Sequence, residues 1–303
     1  MKVLVTTSSF GKNSSKPIDL LASKGFKCVL NPYCRRLTED ELIFLINEYT
    51  PEYLIAGVEH ITPKALSAMA CCVRMISVCG VGLDGIDLDY ARSMGISIAN
   101  TPDAPTASVA ELTLGLMLDL SRKITYTDKS IRKGEFERPM GNLLRGKTIG
   151  IIGCGRIGTH LAGLLEAFKC SIIGYDTTLK EHPVIQLKPF NDVVQEADIL
   201  TVHVPFNIEN EHLINKDVLF KMKRDAYFIN VSRRGIVKDE DLIKVLEERR
   251  ISGAAIECYE RDAFVEKLAK FNNVILTSHI GPFARESRVV QEIDAVNNIL
   301  KML

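Results

Sequence analysis

Arg233, Asp262 and His279 each stand just beyond an apolar stretch that reads as a β-strand, at residues 226–230, 252–256 and 274–276. Ligands of open α/β sheets sit outside the carboxyl ends of the strands, so an arginine, an acid and a histidine would gather there. Beside a nicotinamide, such a set suffices to oxidise an alcohol or reduce a ketone. His279 would exchange the hydroxyl proton, Asp262 would orient the imidazole and hold its pKa up, and Arg233 would polarise the carbonyl and pair with a neighbouring carboxylate.

A second pattern supplies the nicotinamide. Strand-like residues 148–152 run into Gly153-Cys154-Gly155-Arg156-Ile157-Gly158 and then a helix, and Asp176 ends the next strand 18 residues after Gly158. This is the dinucleotide fingerprint in its strand–turn–helix context. Gly153 permits the tight turn, Gly155 lets a pyrophosphate approach the backbone, Gly158 allows close helix packing, and the helix N-terminus offers amide donors and positive dipole. Asp176 would accept hydrogen bonds from the adenosine ribose, and its charge would repel a 2′-phosphate, which favours NAD over NADP.

The elements that must position these residues alternate along the chain. Strands are expected at 3–6, 27–30, 53–56 and 75–78, with helices at 16–23, 38–48 and from Pro63 to about residue 70. That alternation implies a parallel sheet. A first domain closes near Ala99. After turn-rich residues 100–105, Ser108 is placed to cap a long helix through Leu120 that is apolar on more than one face and so buried on several sides. A second series then gives six strands, at 148–152, 171–175, 199–203, 226–230, 252–256 and 274–276, as in a doubly wound fold.

Composition sets the outer limits. At roughly 100–200 residues per domain, the 303 residues imply about two domains. Lys plus Arg (38) balance Asp plus Glu (38), so no overall field draws nucleic acid or an anionic membrane. No apolar run approaches the roughly 18 residues of a spanning helix, and residues 1–6 read as a strand rather than a targeting segment, which suggests a cytoplasmic protein. The eight cysteines show no CxxC spacing and read as reduced, buried thiols; the six histidines are scattered, and no metal is expected.

With these motifs in place, the chain resembles the D-isomer-specific 2-hydroxyacid dehydrogenases over nearly its whole length. The family's second signature is echoed by Ala197-Asp198-Ile199-Leu200-Thr201-Val202-His203-Val204-Pro205 through Asn230 and Arg233, and its third by residues 253–262 and His279-Ile280-Gly281. Within the family, phosphoglycerate dehydrogenase-like members look nearest, through Asn31-Pro32, Gly80-Val81-Gly82-Leu83-Asp84, Asn100-Thr101-Pro102 and Val109-Ala110-Glu111.

The resemblance implies an α/β fold of two doubly wound parallel-sheet domains with a cleft between. These would be a flavodoxin-like substrate domain, residues 1–99 plus 284–303, and a Rossmann NAD-binding domain, residues 100–283. It implies NAD(H)-dependent hydride transfer on a small 2-hydroxy or 2-keto acid, catalysed by Arg233, Asp262 and His279. The cofactor would meet Ser108, Gly153, Gly155, Arg156, Ile157, Gly158 and Asp176. Further along it would meet His203, Val204, Pro205, Asn210, Val231, Ser232, Arg233, His279 and Gly281, with Glu257 near the carboxamide. By strand position alone, His203 reads as structural. The substrate would meet Cys79, Gly80, Val81 and Gly82, its carboxylate on the Val81 and Gly82 amides, as well as Arg233, Arg234 and His279. Homodimers of the family commonly form around the helix after Val109.

Several positions depart from the family pattern. Asp262 stands where Glu is usual, with Glu260 as a rival partner for His279, and Glu257 where Asp is usual. Arg234 replaces a glycine, and would be strained if the backbone there needs positive φ. With Arg35, Arg36 and Arg285 it suggests a substrate bearing a second anionic group, solvated surface charge being the plain alternative. Two other functions are open: an NAD-sensing corepressor-type protein on the same fold, disfavoured by the retained Arg, acid and His and by the lack of a docking tail beyond Leu303, and a phosphite dehydrogenase-like enzyme. A C-terminal regulatory domain, and feedback through one, are not expected. Residues 8–16 and 32–36, the substrate-recognition loops, carry no readable code.

Overall fold

Runs of β-branched and leucine residues bounded by turns form the strands of both sheets in the computed structural model, which describes residues 1–257 and 262–303. The chain divides into unit 1, Met1–Pro105 with Pro282–Leu303, and unit 2, Thr106–Gly281.

Unit 1 runs β1 (Lys2–Val5), α1 (Lys16–Ser23), β2 (Lys27–Leu30), α2 (Glu39–Tyr49), β3 (Tyr53–Ala56), α3 (Pro63–Met69), β4 (Met75–Val78), α4 (Leu88–Ser93) and β5 (Ser97–Ala99). Its sheet is parallel, in the order β2-β1-β3-β4-β5. Buried on both faces, β3 and β4 contain only buried residues, whereas edge strand β2 contains none. Helix α2 begins with a capping box, the Thr38 hydroxyl accepting from the Glu41 amide and Glu41 from the Thr38 amide.

Unit 2 follows with α5 (Thr106–Arg122), α6 (Ile124–Arg132), β6 (Thr148–Ile152), α7 (Arg156–Glu166), β7 (Ser171–Tyr175), β8 (Gln186–Leu187), α8 (Phe190–Glu196) and β9 (Ile199–Val202). It continues through α9 (Lys216–Leu219), β10 (Tyr227–Asn230), α10 (Asp239–Glu247), β11 (Gly253–Glu257), α11 (Ala263–Leu268) and β12 (Val274–Thr277). Among the described residues its parallel sheet has seven strands, ordered β12-β11-β10-β9-β6-β7-β8. The strand beyond the expected six is β8, two residues on the edge of β7, too short to leave a periodic signal. The last helix, α12 (Arg285–Leu300), returns to unit 1, where Ala295, Val296 and Ile299 share a core with Val3, Val5 and Tyr53.

Three expectations need correcting. The first junction falls after Pro105 rather than Ala99, because residues 100 and 101 stay tied to unit 1: the Thr101 amide donates to the Gly80 carbonyl (2.9 Å) and Asn298 Nδ2 to the Asn100 carbonyl (3.0 Å). Ser108 is not a cap, since α5 starts at Thr106 and encloses it. Of the seven described cysteines, all free, only Cys79 and Cys154 are buried; Cys34 and Cys71 are exposed, and Cys28 lies on the edge strand.

Candidate functional site

The chain leaves β6 outward to β7 and returns to β9 on the other side, so the sheet of unit 2 switches direction between β6 and β9. That point carries the glycine loop. Gly153 has φ +91°, and a Cβ there would lie 2.9 Å from the His203 carbonyl carbon and oxygen. A Cβ on Gly158 would collide with the Gly153 carbonyl oxygen, so only glycine lets α7 close on the turn. Gly155 is the N-cap of α7, has no side chain to cap it, and faces open space. No side chain of the N-cap thus stands between the first turn of α7 and an anion at the positive end of the helix.

Asp176, just beyond β7, borders this loop. Its Oδ2 accepts from the Cys154 amide (2.9 Å), and its Oδ1 from the Thr178 amide (2.9 Å), the Thr178 hydroxyl (2.8 Å) and the Leu179 amide (3.1 Å). Partial burial pushes the carboxyl up, but these hydrogen bonds outweigh it and hold the pKa below the usual value. One anionic oxygen, carrying a single bond, thus remains beside the turn with lone-pair capacity for ribose hydroxyls. Glycine cradle, uncapped helix and ionised acid together fit a dinucleotide.

The other expected cofactor residues lie in unit 2. Arg156 and Ile157 open α7, and Ser108 is buried in the first turn of α5. His203, Val204 and Pro205 follow β9. Burial pushes the His203 imidazole down to about 3, which keeps it neutral, and its Nε2 lies 3.0 Å from the Thr201 hydroxyl. Asn210 donates back to the Pro205 carbonyl (2.5 Å). Beyond β10, Val231 packs against a core cluster, while the Ser232 hydroxyl donates to the Val202 carbonyl (2.8 Å).

Arg233 follows β10 with an extended backbone, its Nη1 donating to the Ser232 carbonyl (3.1 Å) and its own carbonyl accepting from Asn230 (3.0 Å). Glu257 ends β11, and His279 follows the adjacent β12 in a left-handed conformation, φ +53°. Non-glycine residues seldom adopt that region, and such strain concentrates at functional sites. The buried Glu257 carboxylate accepts from the Thr277 hydroxyl (2.7 Å), the Ile280 amide (3.2 Å) and the Gly281 amide (3.4 Å), and its Oε2 lies 3.9 Å from His279 Nδ1.

Asp262, expected to orient His279, is engaged elsewhere. Its Oδ1 caps α11 by accepting from the Phe264 (3.0 Å) and Val265 (3.1 Å) amides, and its Oδ2 pairs with Arg234. These contacts, led by the Val265 amide, lower its pKa. Glu260 lies outside the described residues, as does Cys258. Arg234 is not in the left-handed region, so the expected strain does not arise. Its guanidinium pairs with both Asp239 and Asp262 and lies over the Phe264 ring (4.9 Å). Arg35 is similarly held, by both oxygens of Glu41 at 2.6 and 2.9 Å, and the Arg36 charge interacts with Glu59. Arg285 is exposed on α12. The second-anion expectation thus loses its main cation, because acids of the chain already neutralise Arg234.

In unit 1, Cys79 and Gly80 follow β4. Burial pushes the Cys79 thiol up to about 12, so it is no nucleophile. The Gly80 and Val81 carbonyls accept from the Thr101 amide and Asn100 Nδ2, which pins the turn that continues into Gly82. Two buried acids escaped the sequence pattern: Glu59, just after β3, and Glu292, on α12. Their only signal is an acid set among apolar residues.

Comparison with known proteins places the chain among relatives. Residues 114–281 match the family model for the D-isomer specific 2-hydroxyacid dehydrogenase, NAD binding domain. A D-3-phosphoglycerate dehydrogenase from Synechocystis is 34% identical over 88% of this chain and 49% of its own length, and a glyoxylate reductase from Thermofilum pendens is 37% identical over 76% of this chain and 72% of its own. The chain thus spans about half the length of the Synechocystis protein. Among solved structures, a protein from Thermus thermophilus superposes with a TM-score of 0.88 at 29% identity, covering 99% of this chain and 96% of that one.

Proposed function

The chain belongs to the D-isomer-specific 2-hydroxyacid dehydrogenase family, with unit 2 as its NAD-binding domain, and on that premise we propose that it interconverts a small D-2-hydroxyacid and its 2-keto partner. The observation that carries this reading is the arrangement along one parallel sheet: the glycine loop after β6, Asp176 after β7, Arg233 after β10 and His279 after β12. When bound, the nicotinamide supplies or accepts the hydride at the substrate C2. His279 gives its proton to the carbonyl oxygen in reduction and takes it back in oxidation. Arg233, always charged, polarises that oxygen, and Glu257 offers negative charge 3.9 Å from His279 Nδ1 to steady the imidazolium. Asp262, clamped by Arg234, holds the start of α11.

A homodimer built on α5 and the segment after it is part of the proposal. Ile124, Ile131, Phe136, Met140 and Leu143 are all exposed there, an apolar set that a second copy would cover. Free thiols at the described cysteines suit the reducing cytoplasm, and no described helix is long and apolar enough to cross a membrane.

The test is loss of NADH absorbance with glyoxylate, pyruvate, hydroxypyruvate and 3-phosphohydroxypyruvate. Turnover is expected with at least one, and His279→Ala is expected to lower it by on the order of 10² to 10⁴ while keeping NADH binding. Undiminished turnover in that variant removes His279 from the chemistry. Tight NADH binding without turnover on any of these acids transfers the assignment to another substrate or to dinucleotide sensing.

A further inference from the structure

Helix α12 carries three buried polar side chains, two of which bond the loop between β1 and α1. Arg288, Gln291 and Glu292 are 6%, 1% and 0% exposed. Arg288 Nη2 donates to the Ser9 hydroxyl (2.7 Å), and Glu292 Oε2 accepts from the Gly11 amide (3.0 Å). Within the helix, Arg288 Nη1 donates to Gln291, and its Nη2 lies 3.6 Å from Glu292 Oε1. The Phe283 ring lies 5.3 Å from the guanidinium. Phe10, between the two anchored residues, is buried in the same core as Ala295, Val296 and Ile299.

The anchored loop occupies a telling place. β1 lies between β2 and β3, so the chain direction switches across β1 and β3, the point where open α/β sheets bind ligands beyond their carboxyl ends. Cys79, which begins the turn at residues 79–82, feels the Arg288 charge. A buried ion pair is weak evidence for stability, since well-packed apolar residues often serve as well. A buried cluster that reaches out to one loop is better explained by the shape it imposes on that loop.

We propose that Arg288 and Glu292, with Gln291 bracing Arg288, are positioning residues for substrate selection: they hold Ser9, Phe10 and Gly11 in the shape that discriminates among 2-keto acids. This rests on the dehydrogenase reading above. Glu292 fixes the backbone at Gly11, and Arg288 fixes both Ser9 and the Glu292 carboxylate.

The experiment compares wild type, Glu292→Gln and the double variant Arg288→Met/Glu292→Met, the last chosen because it removes both buried charges and keeps an apolar, well-filled core. With whichever 2-keto acid the wild type reduces, the double variant should raise KM about tenfold through loss of charged hydrogen bonds, with kcat within about threefold and KM for NADH unchanged. Glu292→Gln keeps an acceptor for the Gly11 amide and should restore KM to within about threefold of wild type. Hydrogen exchange at Gly11 should quicken roughly a hundredfold in the double variant alone, as the loop opens locally. Faster exchange with unchanged KM assigns a structural role and overturns the proposal, as does a fall in kcat with KM unmoved. Absence of turnover in the wild type overturns the dehydrogenase reading itself, whereas turnover with unaltered KM overturns only the role of α12.

Discussion

At the points where the two sheets switch direction, the loops beyond the strands are built by opposite means. In unit 2 the backbone makes the surface: Gly153 turns at φ +91°, Gly158 lets α7 close on the turn, and Gly155 leaves the first amides of α7 uncapped. In unit 1 buried side chains make it. Asn31 donates to the Thr6 carbonyl (2.6 Å), Glu59 accepts from the Gly57 amide (3.0 Å), and Glu292 accepts from the Gly11 amide. A ligand presented through phosphate oxygens is met by amides and a helix dipole, which any chain can supply wherever glycine permits close approach. A loop that chooses among small acids needs its shape imposed from the core beneath it.

The sharpest way to break this contrast is Gly158→Ala. Its Cβ would press on the Gly153 carbonyl, and a backbone atom cannot give way as a side chain can. An overpacking penalty of about 3 kcal/mol is expected, read as a roughly hundredfold rise in the NADH dissociation constant. Unaltered affinity in a fluorescence titration would mean that the loop is not the cofactor cradle. Asp176→Asn should act in the same direction but less, weakening NADH by about tenfold through loss of a charged acceptor and narrowing the preference over NADPH. Equal loss of both dinucleotides would take the ribose from Asp176.

Arg234→Gly tests the reverse claim, that this cation serves the fold rather than the substrate. Because Asp239 and Asp262 already hold the guanidinium, the ratio of kcat/KM for 3-phosphohydroxypyruvate to that for hydroxypyruvate should change by less than about threefold, the scale of a partly exposed ion pair. A selective loss of the phosphorylated acid would reinstate a second anion site at Arg234.

The smallest expected effect is a pH dependence. Burial raises the Glu59 pKa against the opposing Gly57 amide and Arg36 charge, so its charged form is disfavoured in the folded protein. Its contribution to stability is then fully present below the unfolded value and lost as pH rises through the folded one. Glu59→Gln, unable to ionise, should gain in melting temperature relative to wild type as pH rises, and lose that advantage in acid. Asp176 and Asp198 in unit 2, both lowered, run the other way, their stabilisation fading as pH falls through their folded values. A Glu59→Gln advantage that grew toward acid would mean that burial does not govern the Glu59 carboxyl.

How much could be read in advance follows from how local each feature is. Strands β3, β4 and β9, buried on both faces, stand out as short apolar runs between turns, while the two residues of β8 leave no such mark. That Arg233 and His279 stand just beyond strand ends was legible, because β10 and β12 are short apolar runs ending at Asn230 and Thr277. The partner of Asp262 was not: an acid shorter than the family's usual one invites a search for its histidine, yet Arg234, 28 residues earlier, takes the carboxylate. The contact of Gly11 with Glu292 spans 281 residues and leaves no pattern in either segment.

By itself the sequence determined the alternation of strands and helices, the family, the dinucleotide loop and its acid, because apolar periodicity and the need for glycine in a tight turn act within a few residues of chain. Only the tertiary structure decided that Asp262 answers to Arg234, that Glu257 is the acid 3.9 Å from His279 Nδ1, and that α12 grips the first loop of unit 1. Such pairings depend on which charges the packing brings within reach, whether buried, as at Glu257 and Glu292, or partly exposed, as at Asp262.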